Sequence, residues 1–222
     1  MRKHPFVMLR RRNKISIALV VLWVAGLAVT IGAMSACQGV SRTVARPPIE
    51  SWPTASRLAR DRTSPTLIMF AHPRCECTKA SLTELRGLMS RVEGKVRAYV
   101  LFARSKEEPV ESSRTDNVTL AESIHGITVL GDEASREADR FGATTSGQVM
   151  LFDVGGHVLF SGGIAPVHGY PGDSPMLRGL LATIESTSSG GPMLARVQMP
   201  NAVFGCALRG RGNDDDPRSP ER

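Results

Sequence analysis

The residues of this chain best suited to chemistry are its cysteines, and two of them, Cys75 and Cys77, stand with one residue, Glu76, between them. They fall inside Thr66 to Val92, TLIMFAHPRCECTKASLTELRGLMSRV. Thr66 to Ala71 is an apolar run of strand length, His72-Pro73 breaks it, and Leu82, Leu85, Leu88/Met89 and Val92 then recur on one helical face. A turn between a strand and a helix delivers thiols to the helix N-terminus. Partial positive charge and free N–H donors there favour thiolate over thiol, so the turn is where the chemistry is expected.

Three uses of these sulfurs compete. In thiol-disulfide exchange, placed first on the helix-terminus position, Cys75 is the more exposed attacking thiolate and Cys77 or Cys206 resolves it. A bond between Cys75 and Cys77 closes a very small ring away from relaxed disulfide geometry, so it is easily reduced, as suits a transient link. In metal binding, placed second, Cys75 and Cys77 supply two soft thiolates, and His72, His168 or Cys206 completes a site for copper(I) or zinc. In the third use Cys75 or Cys77 pairs with Cys206 as a staple on the C-terminal segment. As a packing residue, Cys206 is equally well read as a buried thiol. His72 is placed to donate to or deprotonate a thiol, and equally to cap the turn or face solvent. Glu76 is expected to raise the thiol pKa values and moderate the helix-end effect, with Lys79 offsetting it one turn on. His4, His125 and His157 read as surface or structural residues.

The elements that position the turn are read from apolar pattern. Val96 to Ala103 (VRAYVLFA) is a β-rich run set off by Gly94. Arg104 to Asp116 is polar and reads as a solvated loop. Asn117 to His125 has a short helical period capped by Asp116 or Asn117. Ile127 to Leu130 is a third strand that Gly131-Asp132 is expected to end. Glu133 to Phe141 is helical, and Gly142 stops it in the manner of a left-handed cap. Gln148 to Asp153 and His157 to Ser161 are β-rich runs joined through Val154, Gly155 and Gly156, a hairpin signal that Gly162-Gly163 closes. Pro175 to Glu185 reads as a last helix with Leu177, Leu180, Leu181 and Ile184 inward.

The strand, the aromatic-x-x-Pro-x-Cys-x-Cys turn and the amphipathic helix resemble the opening of the thioredoxin-like superfamily, in the form of membrane-tethered extracytoplasmic redoxins, and more narrowly the RedB-type proteins. The likeness covers about Ser64 to Glu185. It implies an α/β domain in which a mixed central sheet is flanked by helices, with disulfide chemistry at Cys75 and Cys77. His168 then lies in a loop resembling the family's rim loop. Two departures stand out. A thioredoxin places two residues between its cysteines, where this chain has one. The cis-proline usual before the hairpin falls within Thr144-Thr145-Ser146-Gly147, where no proline stands. A non-proline cis bond is costly, so a trans turn is expected and peptide capture in the usual mode is weakened. Copper-insertion proteins of this fold carry a histidine just ahead of the hairpin strand, and this chain has none there.

Charge and hydropathy organise the rest. Of the formal net charge of +7, six positive charges come from Arg2, Lys3, Arg10, Arg11, Arg12 and Lys14, and the first 36 residues hold no acid. The remainder is near neutral, which argues against nucleic-acid binding. Ile15 to Ala36 (ISIALVVLWVAGLAVTIGAMSA) is uncharged and long enough to cross a bilayer as one transmembrane helix. With the basic cluster held inside, the chain beyond Ala36 is exported. The expectation is a single-pass protein of the cell inner membrane with its domain on the extracytoplasmic, periplasmic side. The competing reading makes Met34-Ser35-Ala36-Cys37 a lipoprotein box with Cys37 lipidated. Either way the domain faces an oxidising compartment. With Cys37 at the anchor, Cys75, Cys77 and Cys206 remain, and an odd number of exported cysteines points to a reactive thiol or a ligand set.

The organisation expected is a basic head (1–14), anchor or signal segment (15–36), linker (37–63), thioredoxin-like domain (64–186), C-terminal extension with Cys206 (187–208) and disordered tail (209–222). Trp52, in the linker, either docks on the domain or lies at the membrane surface. The function expected is thiol-disulfide oxidoreduction on a protein thiol or disulfide partner, without a cofactor. A copper or zinc metallochaperone module and a non-catalytic interaction domain are the alternatives.

Overall fold

The structure is a computed structural model that describes residues 19–27, 42–43, 49–105, 114–165, 174–188 and 202–208. Cys37, His4 and His168 lie outside these residues, as do the whole basic head and much of the expected anchor. The chain divides into two compact units, Met1–Gly39 and Val40–Arg222. In the first, residues 19–27 are helical (α1) and its large apolar side chains, Leu22 and Trp23 among them, are exposed. Among the described residues no helix is long and apolar enough to cross a membrane.

The second unit is built on a five-stranded sheet. Its strands are β2 (Thr66–Ala71), β3 (Arg97–Arg104), β4 (Ile127–Glu133), β5 (Gln148–Phe152) and β6 (Val158–Gly163). They lie in the order β4-β3-β2-β5-β6. β2, β3 and β4 run parallel, while β5 is antiparallel to β2 and to β6. Because β2 is central and covered on both faces, all six of its residues are buried, which is why it reads as a continuous apolar run rather than an alternating one. α2 (Glu76–Arg91) returns the chain from β2 to β3, and α3 (Asp116–Glu122) lies between β3 and β4. α4 (Arg136–Arg140) precedes the hairpin and α5 (Pro175–Ser188) comes after it. A mixed sheet of this order with helices flanking it is thioredoxin-like, as expected.

Side chains that alternate along β2 and β5 divide the interior into two cores. Leu67, Met69, Val149 and Leu151 face one side and pack with Leu82, Leu85 and Leu88 of α2 and Leu180 and Ile184 of α5. Ile68, Phe70, Met150 and Phe152 face the other and pack with Ala138, Phe141 and Leu208. Trp52 completes the second core, set edge-on to Phe141 and Phe152 with ring centroids 5.1 and 5.0 Å away. Of the two places expected for Trp52, it takes the domain. The latter part of the linker is correspondingly attached. Ile49 and Leu58 pack on the second core, Trp52 N–H donates to Gly156 O at 2.7 Å, and Val158 N–H donates to Glu50 O at 3.1 Å.

Several boundaries differ from the sequence expectation, each for a tertiary reason. β4 does not end at Gly131-Asp132. It continues to Glu133 because β3 supplies partners as far as Arg104. The helix expected over Glu133 to Phe141 shrinks to the five residues of α4. Ala134 and Ser135 adopt positive φ, and the Asp132 carboxylate accepts the N–H groups of Glu137 and Ala138 at 2.8 and 2.9 Å. Gly162-Gly163 extends β6 rather than closing it, paired with Val149 and Gln148. The cap of α3 is Thr115 rather than Asp116 or Asn117. Two short strands, β1 (Arg42–Thr43) and β7 (Ala202–Val203), pair antiparallel as a separate two-stranded sheet.

Candidate functional site

β2 ends at Ala71, and the turn His72-Pro73-Arg74 brings the chain to Cys75, the N-cap residue of α2. The turn is tied down from three directions. Asn117, buried at the start of α3, donates to both Pro73 O and Cys75 O at 3.0 Å, and Thr115 Oγ1 donates to Pro73 O at 2.8 Å. The backbone N–H of His72 donates to Ser146 Oγ at 2.8 Å, and Ser146 Oγ shares a 2.6 Å bond with Thr78 Oγ1. Thr78 and Ser146 are wholly buried. In the sequence Asn117 stood out only as a cap candidate and Ser146 only as part of the turn before the hairpin, and Thr115 and Thr78 not at all, because α3 and the 144–147 loop reach the cysteine turn only in the folded sheet. A Thr three residues beyond the cap is the only local trace of it.

Cys75 is 1% exposed, so the expectation that it is the more exposed thiol is corrected. The C-terminal segment lies against it. The backbone N–H of Cys206 donates to Cys75 Sγ at 3.3 Å, across 131 residues of sequence. Residues 204–208 lie along residues 144–146. Ser146 N–H donates to Cys206 O at 2.8 Å and Leu208 N–H to Thr144 O at 3.0 Å, and Thr145 and Ala207 form an antiparallel bridge. Ser135 Oγ donates to Leu208 O at 3.0 Å, and Leu208 is buried in the second core. The loop itself is held at Gly147, whose φ of +90° and the 2.9 Å that would separate a Cβ from Ser81 Oγ exclude a side chain. No peptide bond among the described residues is cis, so the 144–147 turn is trans as expected.

The electrostatics of the two sulfurs diverge. Burial pushes the Cys75 thiol up, but hydrogen bonds from the Cys206 side chain and N–H, and from the Thr78 side chain and N–H, together outweigh it and leave the pKa lowered. Cys206 is pushed up to about 12, first by desolvation, then by its side-chain hydrogen bond to Cys75 and by negative charge on Cys75 and Cys77. Of the pair, Cys75 is the more readily ionised and Cys206 the one placed to donate an S–H to it. Glu76 is exposed and does not reverse this.

Cys77 is half-buried in the first turn of α2, near enough to influence Cys206. The structure thus gathers Cys75, Cys77 and Cys206, with all three thiols unbridged. His72 serves the turn, its Nδ1 accepting Arg74 N–H at 3.2 Å. Among the described residues no group of three or more His, Cys, Asp and Glu is arranged to hold a metal ion. His157 pairs with Asp153 in the hairpin at 3.2 Å, as a structural residue would.

No family model matches the chain, and no curated protein sequence matches it. Solved structures do. An uncharacterized conserved protein from Geobacillus kaustophilus aligns over 78% of this chain and 93% of its own at 17% identity, with a TM-score of 0.55. A hypothetical protein from Sinorhizobium meliloti 1021 aligns over 75% of this chain and 98% of its own at 14% identity, with a TM-score of 0.59. A thioredoxin-like protein solved in its oxidised form aligns over 64% of this chain and 97% of its own at 14% identity and a TM-score of 0.44. At these identities the first two likenesses are likenesses of fold. The sheet order and flanking helices described above make that fold thioredoxin-like.

Proposed function

We propose that the protein is a membrane-anchored extracytoplasmic thiol-disulfide oxidoreductase acting on a protein partner, with Cys75 as its nucleophile and Cys206 as its resolving thiol. The carrying observation is the Cys206 N–H directed at Cys75 Sγ at 3.3 Å, with the two thiols displaced in opposite directions. A sulfur of lowered pKa at a helix start is the more readily ionised and hence the more nucleophilic of the two, and a neighbouring protonated thiol is held in reserve for the second step.

In the first step of the exchange, Cys75 thiolate attacks one sulfur of a partner disulfide, forming a Cys75–partner S–S bond and expelling the other partner sulfur as thiolate. Cys206 passes its proton to that thiolate and attacks Cys75 Sγ, forming a Cys75–Cys206 disulfide and expelling the second partner sulfur, which takes a proton from water. Two electrons pass from the protein dithiol to the partner, and the reverse sequence oxidises a partner dithiol. In this assignment Cys206 replaces Cys77 as resolving group, since Cys75 and Cys77 are held only two residues apart on one helix start while Cys206 is already on the Cys75 sulfur.

Anchoring rests on the uncharged run of residues 15–36 behind six basic residues, with lipidation at Cys37 as the other route to the same tether. Thiol trapping and peptide mapping of the full chain across a redox titration test the reading. The expected oxidised species is a Cys75–Cys206 disulfide. Three cysteines that stay reduced throughout, or stoichiometric copper or zinc retained anaerobically and lost in Cys75→Ser, would replace it with an interaction domain or a metallochaperone respectively.

A further inference from the structure

On the thiol-exchange reading above, we infer that residues 144–146 form a docking edge for an extended partner segment in which glycine immediately precedes cysteine, and that the chain's own residues 204–208 occupy this edge as an internal stand-in for that segment. Cys75 is 1% exposed, so no partner sulfur reaches it while the stand-in is seated. When the stand-in leaves, Ser146 N–H and Thr144 O lose the partners they hold at 2.8 and 3.0 Å. Uncovered, these groups have only water to pair with, and an incoming extended segment pairs them in the same antiparallel register.

The register dictates what that segment looks like. Gly205 is buried, and a Cβ at this position would overlap Ser146 O and stand 2.9 Å from Ser146 C, backbone atoms with no freedom to retreat. The residue before the cysteine must therefore be glycine. Ala207, immediately after the cysteine, is exposed and leaves that position open to many side chains. Leu208 is 4% exposed within the second core, so an apolar residue is favoured two beyond the cysteine. The partner signature is Gly-Cys-x-apolar, presented as a strand. In the exchange, the Cys75 thiolate attacks the cysteine sulfur of that segment, the new bond is Cys75–S–S–segment, and the sulfur previously joined to the segment leaves as thiolate.

The test uses the full chain and two synthetic peptides, Phe-Gly-Cys-Ala-Leu and Phe-Ala-Cys-Ala-Leu, each activated as a mixed disulfide with thionitrobenzoate. Release of the coloured thiolate gives the rate, and mass mapping confirms addition at Cys75. The Gly-Cys peptide should react at least about tenfold faster than the Ala-Cys peptide, in line with what one misplaced methyl group costs in a shaped site. A Gly205→Val chain, whose stand-in cannot seat, should react faster with the Gly-Cys peptide than the unaltered chain does. Equal rates for the two peptides on the unaltered chain, with a Cys75–Cys206 disulfide still forming in the redox titration, would overturn the docking inference and leave thiol exchange standing. Absence of both that disulfide and any Cys75 adduct would remove the exchange reading and this inference with it.

Discussion

Replacing Ser146 by Ala tests whether the buried hydroxyl pair clamps the cysteine turn to the loop before β5. The Ser146 hydroxyl accepts the His72 N–H at 2.8 Å and shares a 2.6 Å bond with Thr78 Oγ1, and both residues are 0% exposed. Removing it deprives the half-buried His72 N–H of this acceptor, at about 1–3 kcal/mol, and breaks a hydroxyl pair contributing about 1 kcal/mol. Thr78 Oγ1 keeps a contact with His72 O at 3.3 Å, so its own hydroxyl is not orphaned. The expected loss is therefore about 2–4 kcal/mol. Urea unfolding monitored by the fluorescence of Trp52, in a Trp23→Phe background so that one indole reports, measures it as a lower midpoint at constant slope. Thr78→Val removes the other end of the same bond, so the double variant should cost less than the sum of the singles by about 1 kcal/mol. Additive losses, or a Ser146→Ala cost below about 0.5 kcal/mol, would show that the hydroxyl pair is not the clamp described.

The same geometry leads to further outcomes. The lowered pKa of Cys75 means that its thiolate, and hence its alkylation by iodoacetamide in the fraction of molecules whose C-terminal segment is open, appears as pH rises through a midpoint below that of an ordinary thiol. Cys206→Ala removes an S–H donor but keeps the backbone N–H, so the alkylation midpoint of Cys75 should move up, read residue by residue by mass spectrometry. A midpoint that stays or falls would contradict the assigned cause. Cys206 itself, pushed up to about 12, should remain protonated and slow to alkylate through the neutral range. Phe141→Ala opens a hole between Phe70, Phe152 and Trp52 and should cost about 3–5 kcal/mol in the same unfolding assay. A loss under about 1 kcal/mol would mean that the linker and its indole do not complete the second core.

Much of the fold was legible because its signals are local. The unbroken apolar run of β2 identified a buried strand, and the Leu82, Leu85, Leu88 spacing identified the buried face of α2. The β-rich runs around Val154-Gly155-Gly156 identified the hairpin. Where the reading slipped, a long-range partner had overridden a local one. Gly131-Asp132 would end an isolated strand, but β3 runs alongside it and supplies the ladder. Proline and serine made residues 49–63 look like a free linker, but the apolar side chains of Ile49, Trp52 and Leu58 find a core to fill.

The sequence by itself determined that a thiol stands at the start of an amphipathic helix after a buried strand, because strand, turn and helix each announce themselves within a few neighbouring residues. It left open which sulfur partners Cys75, and its expectation that Cys75 is the more exposed thiol was overturned. Those were decided by tertiary structure, where the 144–147 turn offers a backbone edge, Gly205 alone fits against Ser146, and Cys206 is drawn across 131 residues onto the Cys75 sulfur. Such pairing depends on the closing of a long loop against a surface made by other segments, and no periodicity along the chain encodes it.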